Sequence, residues 1–398
     1  MIKRLVFLIV SFIIIFQGII FGQTQKVVVT TSGQDLTSNP IQTPVTFLTI
    51  APDSRASAMG DLGAATTPDA NSMHWNAAKY AFIKDDMGGS LTYTPWLRGS
   101  NLASDINLAY LTYYKRIDKQ STFAAAIRYF SLGVITFINA QQQFTGTKTP
   151  NEFSMDAAYS RLFSDKFSGG ITFRFIRSDL AAGQTISSGG SQTINAGYSF
   201  AADVSAYYRT PFTIDDKPAE WALGLNISNL GSKISYTDNA IKDFIPAMLR
   251  LGGSVGMNMD AYNKISIALD FSKLLVPTPD STIKTSANDI SVPEGMIRSL
   301  YQAPGGFNEK VREVMISSGL EYLYREQFAV RAGYFHESQY KGNRQYFTAG
   351  VGVKMNLLSI DFSYLIPTNG AANNPLANTM RITLSMNVDK LAKKKSKE

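Results

Sequence analysis

The chain contains no cysteine and only two histidines among its 398 residues. Without cysteine it can form no disulfide, no thiolate metal site and no cysteine nucleophile. The histidines, His74 and His336, are distant in the sequence, so an imidazole-based metal or catalytic centre has little support. We therefore expect no metal, no cofactor and no enzymatic activity.

Long apolar runs are scarce as well. Residues 1–22 begin with Lys3 and Arg4, continue as an apolar run over 5–20 and end at a small residue, Gly22. This layout is typical of a secretory signal peptide. A retained membrane anchor fits the sequence less well, because the apolar run is short for a bilayer span and no charged stop-transfer segment follows it. No later segment is a long apolar run, so only strands could hold the mature chain in a membrane.

The formal charge of +7 has a partly local origin. Lys3 and Arg4 contribute to it, and so do the lysines of residues 389–398, which we predict to be a basic periplasmic tail. We therefore expect no nucleic-acid partner.

Aromatic residues, in contrast, are abundant, with 19 Tyr and 24 Phe. The mean hydropathy is nevertheless only -0.06, which is too polar for a bundle of membrane helices. A barrel that alternates lipid-facing apolar residues with lumen-facing polar ones averages to near-neutral hydropathy, and it uses aromatic residues at the membrane interfaces. The composition therefore favours an outer-membrane β-barrel.

From Met87 onward, apolar and polar residues alternate with a period of two, as in residues 380–388. Successive side chains of a strand point to opposite faces, so each such segment has one apolar and one polar face. The pattern predicts strands at 87–95, 105–116, 120–131, 152–163, 166–178, 196–209, 219–228, 247–257, 263–273, 312–325, 327–336, 344–354, 357–366 and 378–388. We therefore predict an all-β fold, a transmembrane antiparallel β-barrel of about 14 strands over residues 87–388.

The links between these predicted strands differ in length. Those after the second, fourth, tenth and twelfth strands are short, and those after the sixth and eighth are modest. Those after the first, third, fifth, seventh, ninth and thirteenth are longer, as expected for periplasmic turns and extracellular loops. A soluble β-sandwich or propeller would also contain alternating strands, but it would not place Phe, Tyr, Ile and Leu on one face of nearly every strand.

The region before the first strand has two parts. Residues 23–45 are polar and rich in Thr, Ser and Gln, which predicts an extended or mobile periplasmic lead. Residues 46–86 are dense in Ala, Gly, Asp and Asn, which suits short helices and tight turns in a confined space. Because the wall side chains of a 14-stranded barrel cannot fill its lumen, we predict that residues 46–86 fold inward from the periplasmic side as a plug that obstructs the pore.

If the apolar face contacts lipid, the polar face lines the lumen. Besides Asn226, it collects ionisable side chains of both signs: Asp156, Arg174, Asp203, Arg250, Asp270, Glu321, Arg331, Asp361 and Arg381. Buried charges usually occur in pairs, so we expect these groups to satisfy one another and to hold the plug. Two carboxylates could instead form an acid-base pair, and Gly252-Gly253-Ser254-Val255-Gly256 could be a phosphate loop. Neither is favoured, because nothing in the sequence places two carboxylates such as Asp270 and Asp361 within reach of each other, and no helix is predicted after the glycines.

The longest predicted connection covers residues 274–311. Its turn-forming and apolar members are Pro277, Pro279, Pro293, Pro304 and Phe307. We predict that this loop binds partners. A cover without a partner is the alternative, because composition does not distinguish the two.

Specific residues of the predicted plug resemble the PorV (LptO) family, outer-membrane components of the Bacteroidetes type IX secretion system within the wider FadL-like barrels. The likeness lies in Asp53, Arg55, Met59, Gly60, Asp61, Asp69, Asn71, His74, Trp75 and Asn76, with their neighbours. It departs from FadL-like plugs at Asn76-Ala77-Ala78, where those plugs commonly have Asn-Pro-Ala. The specific motif spans roughly thirty residues, while the signal peptide, plug and strand count fit the whole chain.

The resemblance implies a non-enzymatic shuttle and adaptor, integral to the outer membrane and in contact with its lipid and lipopolysaccharide. Such a protein would associate with the SprA translocon, receive cargo through C-terminal signal domains and deliver it to the PorU sortase. Two alternatives stay open. A FadL-like transporter of hydrophobic molecules would need an apolar pocket and a lateral wall opening, and a lipid A deacylase would need a nucleophile or an acid-base set near the outer rim.

Overall fold

The computed structural model describes residues 39–96, 105–138, 143–180, 185–186, 192–237, 242–279, 290–368, 376 and 379–387. The predicted signal peptide, residues 23–38 of the predicted lead and the predicted basic tail lie outside these ranges.

Strands make up most of the described chain. They are β1 Met87–Pro95, β2 Asn107–Arg116, β3 Ser121–Ser131, β4 Ile135–Ile138, β5 Phe144–Lys148, β6 Asn151–Leu162, β7 Phe167–Asp179, β8 Thr185–Ile186, β9 Gln192–Thr193, β10 Gly197–Ile214, β11 Lys217–Gly231, β12 Met248–Asn258, β13 Asn263–Leu274, β14 Met315–Tyr324, β15 Phe328–His336, β16 Gln345–Met355, β17 Leu358–Pro367 and β18 Met380–Asn387. The helices are Ser54–Ser57, Ser72–Trp75, Val292–Tyr301 and Gly306–Arg312, with 3-10 turns at Thr46–Thr49 and Ala77–Phe82. No helix among the described residues is long and apolar enough to cross a bilayer.

The strands close into an antiparallel barrel of 14, which confirms the predicted fold. β1 pairs with β2 on one side and with β18 on the other, and the order runs β1-β18-β17-β16-β15-β14-β13-β12-β11-β10-β7-β6-β3-β2. The four short strands β4, β5, β8 and β9 form two small hairpins in the links β3–β6 and β7–β10. The alternation rule did not predict these hairpins.

The two faces of the wall differ as the alternation predicts. On β18, Ile382 and Leu384 point outward and are 46% and 43% exposed, whereas Arg381 and Thr383 point inward and are almost fully buried. An outer surface of Leu, Ile, Val, Phe and Tyr is stable only against lipid, so the wall spans a membrane.

The hairpin β10–β11 is longer than predicted. The predicted strands end at 209 and begin at 219, whereas the structure continues both strands to a two-residue turn at Asp215 and Asp216. Both turn residues have positive φ, 47° and 60°, as a type I′ hairpin turn requires. Pro211 and Pro218 lie in this extension. Proline donates no hydrogen bond, so it suits a strand segment that projects beyond its neighbours and must not pair with another chain.

Residues 39–45 lie at the long-loop end of the barrel. The backbone N–H of Asn39 donates to the carbonyl of Tyr340 at 3.0 Å, and Lys341 Nζ donates to the Asn39 carbonyl at 2.9 Å. The predicted periplasmic position of the lead is therefore wrong for these residues. The physical reason is that the chain from 46 to 86 crosses the lumen to reach β1 at the short-turn end, so its two ends lie at opposite mouths.

Residues 46–86, which we call the inner segment, lie inside the barrel with backbone pressed directly against the wall. A Cβ added at Gly224 would lie 1.9 Å from the Ala64 carbonyl oxygen, and one at Gly333 would lie 2.1 Å from the Met59 carbonyl carbon. Only glycine permits this approach of wall and segment.

Gly224→Val is expected to lower the free energy of unfolding by about 2 kcal/mol or more, because its side chain would overlap Ala64. Urea denaturation of the protein in lipid vesicles, followed by tryptophan fluorescence, measures the change. Gly253→Val is the matched control, since the nearest atom to an added Cβ there is 3.6 Å away. Equal destabilisation by the two variants would contradict the close approach.

Candidate functional site

Asp53 organises the start of the inner segment. One carboxylate oxygen accepts the Ala56 N–H at 2.9 Å and caps the helix Ser54–Ser57, and the other accepts Trp75 Nε1–H at 2.7 Å. The side chain therefore joins two stretches of the inner segment that are distant in sequence.

Arg55 lies at the centre of an ion-pair cluster. Its guanidinium donates to Glu321 at 3.0 and 2.9 Å and to Asp69 at 2.9 Å. Glu321 also accepts from Arg331 at 2.7 Å, and Arg331 donates to Asp361 at 2.6 Å. The structure thus joins three of the predicted lumen residues to two residues of the predicted plug motif.

A second cluster forms around Arg174. Its guanidinium donates to Asp156 at 2.8 Å and to Asp203 at 3.0 Å, and a further short bond joins it to the Asn229 side-chain oxygen. Asn229 was not predicted. It has a φ of 59° at a register shift between β10 and β11, which turns both Ser228 and Asn229 inward.

The remaining predicted lumen charges contact the inner segment. Asp270 accepts the N–H groups of Gly63 and Ala64 at 2.8 and 2.9 Å. Arg381 Nε donates to the Ala51 carbonyl at 3.1 Å, and Arg250 lies over the Trp75 ring at 4.9 Å. These side chains satisfy backbone groups and rings of the inner segment, so they do not pair with one another.

The other predicted plug residues also contact the wall. Gly60 N–H donates to Thr348 at 2.8 Å, and the Tyr346 hydroxyl donates to Asp61. The other wall contacts are those of Met59 with Gly319 and Gly333, Asn71 with Ser90, and Asn76 with the carbonyl of Ala206. Within the inner segment, Asn76 also donates to the Ala64 carbonyl. The Asn76 side chain also accepts the Ala78 N–H and so caps the turn Ala77–Phe82.

The sequence analysis did not identify two buried cations, Arg128 and Lys79. Arg128 donates to the carbonyls of Phe47 and Leu48 at 3.2 and 3.1 Å, and Lys79 donates to the Gly63 carbonyl at 2.7 Å. Arg128 also donates to Nδ1 of His74 at 2.8 Å, since a guanidinium carries only donors.

The geometry offers little for catalysis. Residues 252–256 match the G-x-S-x-G spacing of serine hydrolases, but they lie within β12, and the Ser254 hydroxyl donates to the Ala65 carbonyl at 2.7 Å. The side chains of His74 and Arg128 are buried between the inner segment and the wall. Within the described ranges, no three His, Asp or Glu side chains are grouped to hold a metal ion.

The long-loop end carries an exposed apolar surface on the helices Val292–Tyr301 and Gly306–Arg312. We call it the docking face, and its members are Ile297, Leu300, Tyr301, Phe307 and Val311. Phe307 is 82% exposed and Tyr301 is 69% exposed. Of the predicted loop prolines, Pro279, Pro293 and Pro304 are exposed, and Pro277 lies partly buried beside Gly295.

Buried ion pairs hold this loop from beneath. Glu313 accepts from Lys310 at 3.1 Å, from Thr278 at 2.5 Å and, by a shorter bond, from Lys273. Burial alone would raise the pKa of Glu313, but the hydrogen bonds from Lys273 and Thr278 lower it. Lys341 lies 3.3 Å from Glu313, which links the neighbouring loop 337–344 to the same carboxylate.

A cavity lies at each mouth of the barrel. The extracellular cavity, of 470 Å³, is lined by Met248, Leu274, Met315 and part of residues 40–49. The periplasmic cavity, of 580 Å³, is lined in part by Arg55 and Asp69. The two cavities share no lining residue, because the inner segment lies between them.

Glu321→Gln is expected to lower the free energy of unfolding by about 3 kcal/mol, because Arg55 and Arg331 would both lose their shared buried carboxylate. Urea denaturation measures the loss. The control is Glu326→Gln in the exposed turn between β14 and β15. If both variants unfold at the same urea concentration, the cluster does not hold the inner segment.

Comparisons with known proteins place the chain. A family model described as "Type IX secretion system protein PorV" matches residues 33–281. No curated protein sequence matches significantly. Similar solved structures include the toluene transporter TbuX of Ralstonia pickettii (12% identity, 84% of this chain and 98% of that one, TM-score 0.46) and the toluene transporter TodX of P. putida (12%, 84% and 98%, 0.49). A FadL homologue of Pseudomonas aeruginosa is similar too (10%, 87% and 98%, 0.40).

The family match covers more than half of the chain and includes every residue of the predicted plug motif. Together with the closed barrel and its apolar outer wall, it fixes both the family and the location. The chain belongs to the PorV family and is an integral outer-membrane component of the type IX secretion system.

Proposed function

We propose that this protein is a non-enzymatic shuttle and adaptor of type IX secretion. In this role it receives cargo C-terminal signal domains from the SprA translocon and delivers them to the PorU sortase at the cell surface. The observation that carries the proposal is the docking face, a solvent-exposed apolar surface at the long-loop end of a barrel whose lumen is occupied.

The exposure of the docking face supports a protein partner. Phe307, Tyr301 and Ile297 are 82%, 69% and 61% exposed on short helices that also carry charged residues. Exposed aromatic and apolar side chains with a polar surround are typical of protein interfaces. Aromatic residues of this kind contribute most of the binding energy when a partner buries them.

The attachment of the loop also supports docking. Ser291 caps the helix Val292–Tyr301, and Lys310 donates to the Ser299 carbonyl at 2.9 Å, which joins the two loop helices. Glu313 then ties the loop to β13 through Lys273. A surface held in one conformation loses less entropy on binding than a mobile loop would.

Transport of hydrophobic molecules is the second candidate, because Met248, Leu274 and Met315 give the extracellular cavity apolar walls. Two features weigh against it. Each barrel strand pairs with both neighbours, so the described strands leave no lateral opening. The inner segment also separates the cavity from the periplasmic mouth.

A lipid A deacylase would need free catalytic groups near the outer rim. The buried carboxylates around the docking face are engaged with cations: Glu309 with Lys341, Glu313 with Lys273 and Lys310, and Glu337 with Arg344. Mass spectrometry of lipid A from a deletion strain tests this alternative. Mass spectrometry of lipid bound to the purified protein tests the transporter.

Replacing both Tyr301 and Phe307 by Ser is expected to lower co-purification of translocon and cargo from native membranes by about ten-fold or more, because two exposed aromatic contacts are lost. Affinity purification with quantitative mass spectrometry measures the loss. Asn308→Ser, at an exposed position on the same helix as Phe307, is the control. Undiminished recovery from the double variant would reject the docking face.

A further inference from the structure

We propose that residues 39–44 form a detachable strap on the extracellular side, hinged at Val45, that closes an apolar groove at the foot of the docking loop, the β13–β14 link that carries the docking face. While it is attached, the groove is filled by the chain itself and the loops on either side are tied together.

The strap is attached mainly through Asn39. Its side-chain Nδ2 donates to the Pro279 carbonyl at 2.9 Å and to Glu309 at 3.1 Å. Its backbone N–H donates to Tyr340, and its carbonyl accepts from Lys341. One residue thus connects the docking loop to the loop 337–344, and the partners are polar groups that water can replace.

The groove beneath the strap is apolar. Ile41 packs against a buried cluster of Phe244, Val276 and Ile290. Phe244 belongs to the β11–β12 link, and the other two belong to the docking loop. Val292 packs against the same cluster, so detachment of the strap would remove one of the two partly buried apolar side chains that cover it.

The hinge is a strained residue. Val45 has φ 50° and ψ 40°, the left-handed region that a β-branched residue rarely adopts. Val45 is nonetheless buried, in a cluster with Phe47 and Leu48 of the inner segment. Its side chain therefore holds the inner segment in place, while its backbone strain favours release of the residues before it.

The strap can move without disturbing the lumen. Its hydrogen bonds all go to loops or to the extracellular rim, whereas the ion pairs of Arg55 and Arg174 lie below it inside the barrel. The proposal concerns only this movement, so its test requires no partner and is independent of the proposed function.

The absence of native cysteine makes a direct test possible. Val276→Cys places a small apolar thiol under Ile41, so detachment of the strap would speed its reaction with a membrane-impermeant maleimide. With fast opening and closing, the labelling rate is proportional to the open population. Adding Asn39→Ala is expected to raise this rate about ten-fold, because two hydrogen bonds are lost. Gln42→Ala, at an exposed strap position, is expected to leave it unchanged.

The hinge is tested by comparing Val45→Gly with Val45→Ala in the same reporter. Both variants lose the branched methyl groups, but only glycine relieves the left-handed strain. Labelling is therefore expected to be at least about five-fold slower in Val45→Gly than in Val45→Ala. Equal rates, or faster labelling of the glycine variant, would overturn the hinge.

A second reporter separates strap movement from general loosening. Ala124→Cys is fully buried in a different apolar cluster, with Tyr80 and Tyr114, away from the extracellular cavity that the strap lines. Its labelling rate is expected to stay constant in all strap variants. If Asn39→Ala accelerates both reporters equally, or neither, residues 39–44 are not a detachable strap.

Discussion

Deep inside the barrel, Gly63 and Ala64 donate their backbone N–H groups to one carboxylate oxygen of Asp270. The contact shows the constraint on which the rest of the structure depends. The inner segment has only short helices and turns, so most of its backbone polar groups lack partners within the segment. Away from bulk water, the wall must supply hydrogen-bond partners for these groups. The residue type at each wall position near the segment meets this requirement.

This constraint explains which residue types occupy the different parts of the inner wall. Where the segment runs close, the wall is glycine, as at Gly224 and Gly333. Where its carbonyls face the wall, arginine donates to them, as Arg381 does to Ala51. Some wall carboxylates, such as Asp156 and Asp203, form ion pairs with an arginine, here Arg174. An unpaired buried charge would be strongly destabilising.

The path of the inner segment also determines which mouth of the barrel carries residues 39–45. Because the segment crosses the whole lumen, residues 39–45 reach the extracellular loops instead of the periplasm. The docking face and the strap are therefore neighbours at one mouth, joined through Asn39, Glu309 and Lys341. A filled lumen and an exposed loop surface are two results of one chain path.

The alternation of apolar and polar residues was enough to determine the barrel, its strand number and the inward side chains, because lipid and lumen impose opposite demands on successive residues. Arg128 follows the same rule, at an inward position between Ile127 and Tyr129, and could have been found from it. Asn229 could not, since the bulge there reverses the alternation. The sequence also could not predict the contacts of Lys79 and of the strap, because their partners are distant in sequence. Only the tertiary structure decided which buried groups meet and at which mouth the chain enters, since contacts across a lumen leave no periodic trace in the sequence.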